Sequence, residues 1–194
     1  MTDFDAMYKQ DDDPWSVRHS WYERRKRAVL MASLPSARFG KVLELGCGIG
    51  EMTYLLSSVG AHVMAVDASE TAAAICRRRV GRAGANNVSV QVLQLPASWP
   101  LGSDDSFDLV VVSELAYYFS EPELASFIEQ CMASLALQGI WVMCHYKPQF
   151  HDRIGSTDEI HNKVNALSEL QRIVSHDDEQ FRLDIWRHAT GARS

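Results

Sequence analysis

Residues 42–50 read Val42-Leu43-Glu44-Leu45-Gly46-Cys47-Gly48-Ile49-Gly50, an apolar run that carries one acid and ends in glycines at alternate positions. Glycine takes positive φ without a Cβ clash, so this spelling turns a strand sharply into a helix and lets a ligand approach the main chain. Apolar residues resume at helical spacing (Met52, Leu55, Leu56, Val59), and a second apolar run from Ala61 to Val66 ends on Asp67. The new helix offers unpaired N–H groups at its start. Asp67, at the tip of the next strand, is placed to accept hydrogen bonds from both hydroxyls of a ribose. Strand, glycine loop, helix, strand and acid in this order imply an open α/β sheet that binds a nucleotide-type ligand.

The spacing separates two ligand classes. The dinucleotide fingerprint G-x-G-x-x-G needs glycine at position 51, which is Glu51 here. The run is instead E-x-G-x-G-x-G, which resembles motif I of class I S-adenosylmethionine (SAM) methyltransferases, with Asp67 as the acid of the following motif. An acid at Glu44 repels a pyrophosphate but suits a sulfonium accompanied by an ammonium.

Length and composition fit this scale. A chain of 194 residues with 46% hydrophobic residues can bury one full core. The net charge of −6 argues against nucleic acid as partner. Cysteines at 47, 76, 131 and 144 form no C-x-x-C pair and suggest no disulfide framework, which fits a reducing cytosol and a cytoplasmic protein. The acidic, polar start is unlike a signal peptide, and no run reaches transmembrane length.

The chain divides into a flexible segment over 1–14, a catalytic domain over 15–189 and a tail over 190–194. Asp11-Asp12-Asp13-Pro14 marks the loose start. Trp15 to Leu34 reads as helix, with Tyr22, Lys26, Val29 and Leu30 on one face and Pro35 as its stop. Strands are expected at 41–45, 62–66, 88–93, 107–112 and 140–144. Helices are expected at 69–83, capped by Ser69 and with a solvated basic face, at 122–135 and at 159–170. Residues 170–175 and 181–186 read as a terminal hairpin. Five β/α units and a hairpin make a mostly parallel sheet with an antiparallel edge.

Further motifs narrow the family. Asp13-Pro14-Trp15, Tyr22-Glu23-Arg24-Arg25-Lys26 and Ser113-Glu114-Leu115-Ala116-Tyr117-Tyr118-Phe119, taken with the glycine loop, resemble the NodS-like branch of SAM methyltransferases. The resemblance runs from about Asp13 to Trp186. It implies a Rossmann-like, seven-stranded sheet with helices on both faces and a C-terminal antiparallel hairpin. It also implies methyl transfer to the nitrogen of an amino sugar or similar polar amine. SAM would pass over Gly46, Cys47, Gly48 and Gly50, with Glu44 orienting its methionine end, Asp67 taking the ribose and Ala68 packing on adenine. Where such enzymes often carry an Asp for the adenine amino group, this chain has Gln94, whose side-chain carbonyl can still accept, next to the backbone of Leu95. Trp15, Tyr22 and Arg25 lie in a segment that can close over SAM, and an Arg there could pair with the methionine carboxylate.

Candidates for the chemistry lie beyond the fourth strand. Glu114 could attract an ammonium substrate or accept its proton. Of Tyr117 and Tyr118, one could stack on a sugar and the other enter the core. His145, at the end of the fifth strand, could be a second base or a satisfied edge histidine. His145, His151 and His161 fit no standard zinc spacing, so no metal is expected. The function expected is a SAM-dependent N-methyltransferase of a small-molecule acceptor, an amino sugar or oligosaccharide. The alternatives are an O-methyltransferase of another small metabolite or a SAM-binding module without turnover. No N-P-P-Y-type tetrapeptide follows strand four, which argues against nucleic-acid methylation. The oligomeric state is not legible.

Overall fold

The computed structural model describes residues 3–100 and 106–189. The chain divides after Pro100 into two compact units.

The first unit begins with helices α1 (Phe4–Gln10) and α2 (Trp21–Ser33). It continues as β1 (Phe39–Leu45), α3 (Glu51–Leu56), β2 (Gly60–Asp67), α4 (Glu70–Arg82) and β3 (Val88–Val92). The strands are parallel in the order β3-β2-β1, with Glu44 opposite Ala65 and Asp67 opposite Val92. Parallel neighbours need a crossover, and the short helices α3 and α4 supply it. Leu43, Leu45, Val63, Ala65 and Val66 are buried as the central strands require.

In the second unit, β4 (Phe107–Ser113) leads through a 3-10 turn (Ala116–Tyr118) to α5 (Glu121–Ser134) and β5 (Leu135–Tyr146). Then come α6 (Thr157–Asn165), β6 (Leu170–Asp177) and β7 (Phe181–His188). The order is β4-β5-β7-β6. Strand β7 lies antiparallel between β5 and β6, so the hairpin turns back and leaves β6 at the edge. The sequence carries this difference: Phe181 to Trp186 is buried throughout, whereas β6 is mostly exposed or half-buried. No helix among the described residues is long and apolar enough to cross a membrane.

Three expectations need correction. Residues 1–14, read as loose, hold α1, because Asp3 caps it by accepting the Ala6 N–H and Asp5 pairs with Lys9 one turn on. The helix expected from Trp15 begins at Trp21. Asp13 accepts the N–H groups of Val17 and Arg18, fixing a turn, and Ser20 caps α2 through the Glu23 N–H. The helix expected at 159–170 sits at 157–165, because Ser156 and Glu159 form a capping box that sets its start. The last five residues, 190–194, lie outside the described residues.

Gly50 opens α3 at φ 86, and a Cβ there would meet Cys76 Sγ at 2.7 Å and the Cys76 Cα at 3.1 Å. Gly50→Ala therefore combines left-handed strain with overpacking against a helix backbone. It should cost about 2–4 kcal/mol of stability, measured by urea denaturation. A loss below ~1 kcal/mol would show that α4 yields freely at this contact.

Candidate active site

The glycine loop is tied to β2 rather than left hanging. Gly46 and Cys47 both donate their N–H to the Val66 carbonyl, and Gly48 N–H donates to Asp67 Oδ2 at 2.8 Å. Asp67 Oδ1 accepts the Ser69 N–H at 2.9 Å. Asp67 thus links the loop after β1 to the start of α4. Burial raises its carboxyl, and the backbone N–H groups of Ser69, Gly48 and Ala68 oppose that rise. The Leu93 N–H donates to the Asp67 carbonyl, which brings Gln94 and Leu95 to the same strand end. Gln94 and Ala68 are exposed there, and Leu95 is buried.

Glu44 sits beneath the loop at 3% exposure, and its Oε2 has no hydrogen-bond partner. Burial pushes its carboxyl well above the usual range; the Thr53 side chain offsets part of this, while Cys76 and Asp67 add to it. Such a group is expensive to keep ionised unless a cation or donor arrives. Gly48 takes a left-handed φ of 51° that strains any side chain, and a Cβ there would press on the Tyr8 hydroxyl at 3.0 Å. An acid short of a partner, bare backbone and a strand-end carboxylate fit a ligand with a ribose and a cationic group. They do not fit a pyrophosphate.

The N-terminal candidates divide. Trp15 packs on Tyr8 (5.5 Å between ring centroids) and Phe4 (6.3 Å), and the Tyr8 hydroxyl lies over Gly48. Helix α1 is docked by Asp5, which accepts the Ser69 hydroxyl at 2.7 Å and the Thr71 N–H at 2.9 Å at the start of α4. Tyr8 and Asp5 were missed in the sequence because α1 is short and precedes an acidic run. In α2 the inward charges are Glu23, Lys26 and Arg27, with Lys26 Nζ 2.8 Å and Arg27 Nη1 3.3 Å from the Glu23 carboxylate. Arg25 and Tyr22 are half-buried, and the Lys26 ammonium lies 5.1 Å from the Tyr22 ring centroid. The motif around Tyr22 thus faces inward through different basic residues than the one singled out.

The second unit assembles its own cluster. Glu114 follows β4 at φ 57, a left-handed conformation in a residue with a long side chain. Its Oε2 accepts the Tyr117 hydroxyl at 2.6 Å and the Tyr146 N–H at 2.9 Å. Tyr117 is buried, Tyr118 is half-buried, and their rings meet edge-on at 4.8 Å. Phe150 joins both, at 4.9 Å from Tyr117 and 5.9 Å from Tyr118. Burial pushes the Tyr118 phenol up, with the Asp152 and Glu114 charges adding, so it stays protonated. Arg153, missed in the sequence, gathers the carbonyls of Tyr146, Lys147, Pro148 and Gly155 and the Thr157 hydroxyl.

Of the two readings of His145, a second base or a satisfied edge histidine, the structure contradicts the first. The ring is fully buried, its Nε2 accepts the Ala116 N–H at 3.1 Å, and its Nδ1 lies 3.0 Å from His161 Nε2. With both ring nitrogens engaged inside the core it is not a base at the rim. Of the three histidines whose spacing fits no zinc pattern, His145 and His161 meet, and the contact between them is a hydrogen bond. No cluster able to hold a metal occurs among the described residues.

The buried acid of the first unit gives a measurable consequence. The folded state holds a proton on Glu44 that the unfolded chain has lost above its ordinary pKa of 4.5. Stability from this group is therefore complete below that pH and declines as the pH rises. Glu44→Gln removes the titration. In the absence of ligand, its melting temperature relative to wild type should climb between pH 5 and pH 8, measured by calorimetry. A difference that stays constant over that range would mean that Glu44 is ionised in the fold.

Residues 42–139, about half of the chain, match the family of the methyltransferase domain. Phosphoethanolamine N-methyltransferase 1 of Caenorhabditis elegans is 31% identical over 134 residues, 68% of this chain and 27% of that protein. Nodulation protein S of Azorhizobium caulinodans is 27% identical over 112 residues, 57% of this chain and 51% of that protein. The chain thus spans about a quarter to a half of these curated relatives. The N-methyltransferase NodS from Bradyrhizobium japonicum WM9, solved with S-adenosyl-L-homocysteine, shares the fold. Its TM-score is 0.81 at 20% identity over 96% of this chain and 99% of that one. The α/β architecture, seven strands mostly parallel with an antiparallel C-terminal pair, is the Rossmann-like methyltransferase fold. The chain belongs to the class I SAM-dependent methyltransferases, with S-adenosylmethionine as its cofactor.

Proposed function

We propose that the protein methylates the nitrogen of a small polar amine, an amino sugar or deacetylated amino-glycan, in the cytosol. The observation that carries this reading is Glu114, a carboxylate held at a strained strand end by the Tyr117 hydroxyl and the Tyr146 N–H. Backbone strain of this kind persists where the surroundings over-determine it, and it gathers at functional sites. The relatives named as N-methyltransferases support nitrogen as the acceptor atom.

S-adenosylmethionine supplies a methyl group activated by its positive sulfur. Gly46, Cys47, Gly48 and Gly50 would offer it bare main chain, Glu44 a buried carboxyl whose proton its cationic end would displace, and Asp67 a pair of ribose acceptors. Ala68, Gln94 and Leu95 would flank the adenine. Trp15, through Tyr8, would cover the loop, and Arg25 beside Tyr22 would meet the methionine carboxylate. At the acceptor, Glu114 draws in an ammonium by charge. An ammonium has no lone pair, so Glu114 takes one proton directly or through a water. The lone pair so freed would be the nucleophile toward the methyl group that the bound cofactor would supply. Tyr118 and Phe150 offer aromatic edges and faces to the apolar C–H side of a sugar.

Tritiated methyl transfer into partially deacetylated chitooligosaccharides, compared with fully acetylated ones, tests the acceptor. Label should enter only the deacetylated set; equal labelling of both would overturn nitrogen as the acceptor atom. Glu114→Gln should lower kcat for the amine by about a hundredfold with SAM affinity unchanged. Turnover at the wild-type level would remove Glu114 from the reaction. Arg25→Ala should weaken SAM binding about tenfold by calorimetry, the scale of one lost charge-assisted contact, and unchanged affinity would exclude Arg25.

A further inference from the structure

The core of the second unit holds a line of polar groups that the chemistry above does not use. Ala116 N–H donates to His145 Nε2, His145 Nδ1 faces His161 Nε2, and His161 Nδ1 lies 2.8 Å from Asp184 Oδ2. Arg182 Nε donates to the same Asp184 oxygen at 2.6 Å and Arg182 Nη1 donates to Asp158 at 3.0 Å. Arg172 Nη1 stands 3.5 Å from Asp184 Oδ1. His145, His161 and Asp184 are each fully buried.

The donor sense of this line is fixed from both ends. A backbone N–H can only donate, so His145 Nε2 is bare and the proton of a neutral ring sits on Nδ1. That proton is given to His161 Nε2, which leaves the His161 proton on Nδ1, facing Asp184. Burial lowers the His161 imidazolium, against the pull of Asp184, and keeps the ring neutral. Burial would raise the Asp184 carboxyl, but the hydrogen bonds from His161 and Ser175 and the Arg182 charge outweigh it and hold it at about 2. Both rings thus take the Nδ1–H form.

We infer that His145 is a positioning residue: the His145–His161–Asp184 line aims one ring acceptor at the Ala116 N–H and so fixes the turn that carries Glu114 and Tyr117. A buried polar line of this length costs more than an apolar core unless every member is satisfied. What it provides that leucine cannot is an acceptor of defined tautomer at the root of the Ala116–Tyr118 turn. The line ends on a backbone amide, too weak an acid and too weak a base to pass a proton on during turnover, so it positions and does not shuttle. The turn is held again on its far side, where the Tyr117 carbonyl accepts the N–H groups of Ile154 and Gly155. The His145 ring also packs edge-on against Tyr117 at 5.4 Å. The catalytic consequence rests on the reading of Glu114 as the acceptor-binding carboxylate.

Two near-isosteres separate the ends of the ring. In His145→Gln the terminal oxygen falls near the Nε2 position and keeps the acceptor for Ala116. In His145→Asn the terminal amide falls near Nδ1, which keeps the donor to His161 and loses that acceptor. The full-length protein is labelled with nitrogen-15, and ring shifts and Ala116 amide exchange are read by NMR. Wild type should show Nδ1–H at both histidines. The Ala116 amide should exchange about tenfold faster in H145N than in wild type or H145Q. In steady state, kcat for the amine should fall ten- to a hundredfold in H145N and about threefold or less in H145Q, with the KM for SAM unchanged in both. An Nε2–H proton on His145, or two variants that behave alike, would overturn the inference. The NMR readings need no acceptor. If wild type methylates no amine, the proposed function fails while the positioning role is still decided by Ala116 exchange.

Discussion

The hydrogen bond from Gly48 N–H to Asp67 Oδ2 is what the first unit is organised around. It joins the loop after β1 to the tip of β2, and the same carboxylate accepts the Ser69 N–H at the start of α4. Three crossover elements meet at one side chain. Gly48 must reach φ 51 for its N–H to point there. Ser69 is then set to cap α4, and Asp5 brings α1 down onto the same helix start. Remove the Asp67 acceptors and the loop, the cap and the docked helix lose a shared anchor.

The two units bury acids in opposite ways. Asp184 is saturated: His161, Arg182 and Arg172 all face it, and its low pKa reflects that company. Glu44 is starved, with one oxygen unpartnered and its proton retained by burial. A saturated buried acid braces a fold, because losing any partner leaves a charge uncompensated. A starved one is a place where an arriving positive charge can displace the retained proton and leave an ion pair in its stead. The contrast separates brace from binding group more clearly than burial alone, which the two acids share.

Much of the fold was legible because its signals are local. The glycine spacing, Asp67 at a strand tip, Ser69 as a cap and the apolar run at 107–112 each rest on a few adjacent residues. The illegible parts depend on distant partners. His145 and His161 are sixteen residues apart and their bond appears only when α6 packs on β5. In α2 the spacing puts Lys26 on the face of Val29 and Leu30, but nothing local says that Glu23 neutralises both Lys26 and Arg27 there. Helix α1 was hidden by its brevity, since a seven-residue helix has little intrinsic stability and owes its order to Asp5 and to Tyr8 packing. At Glu114 the residue type was legible and its φ was not, because nothing local marks a glutamate for the left-handed region.

That conformation has a physical reason. A left-handed φ costs a non-glycine residue roughly 1–2 kcal/mol, so a glycine at position 114 would relax the backbone. The glutamate remains because its side chain returns what the backbone loses. Its carboxylate accepts the Tyr117 hydroxyl three residues on and the Tyr146 N–H at the end of β5. Its own N–H donates to the Cys144 carbonyl. Turn, strand end and carboxylate therefore hold one another. The left-handed φ is the geometry that lets one carboxylate accept from both partners, and His145 behind Ala116 keeps the turn from relaxing out of it.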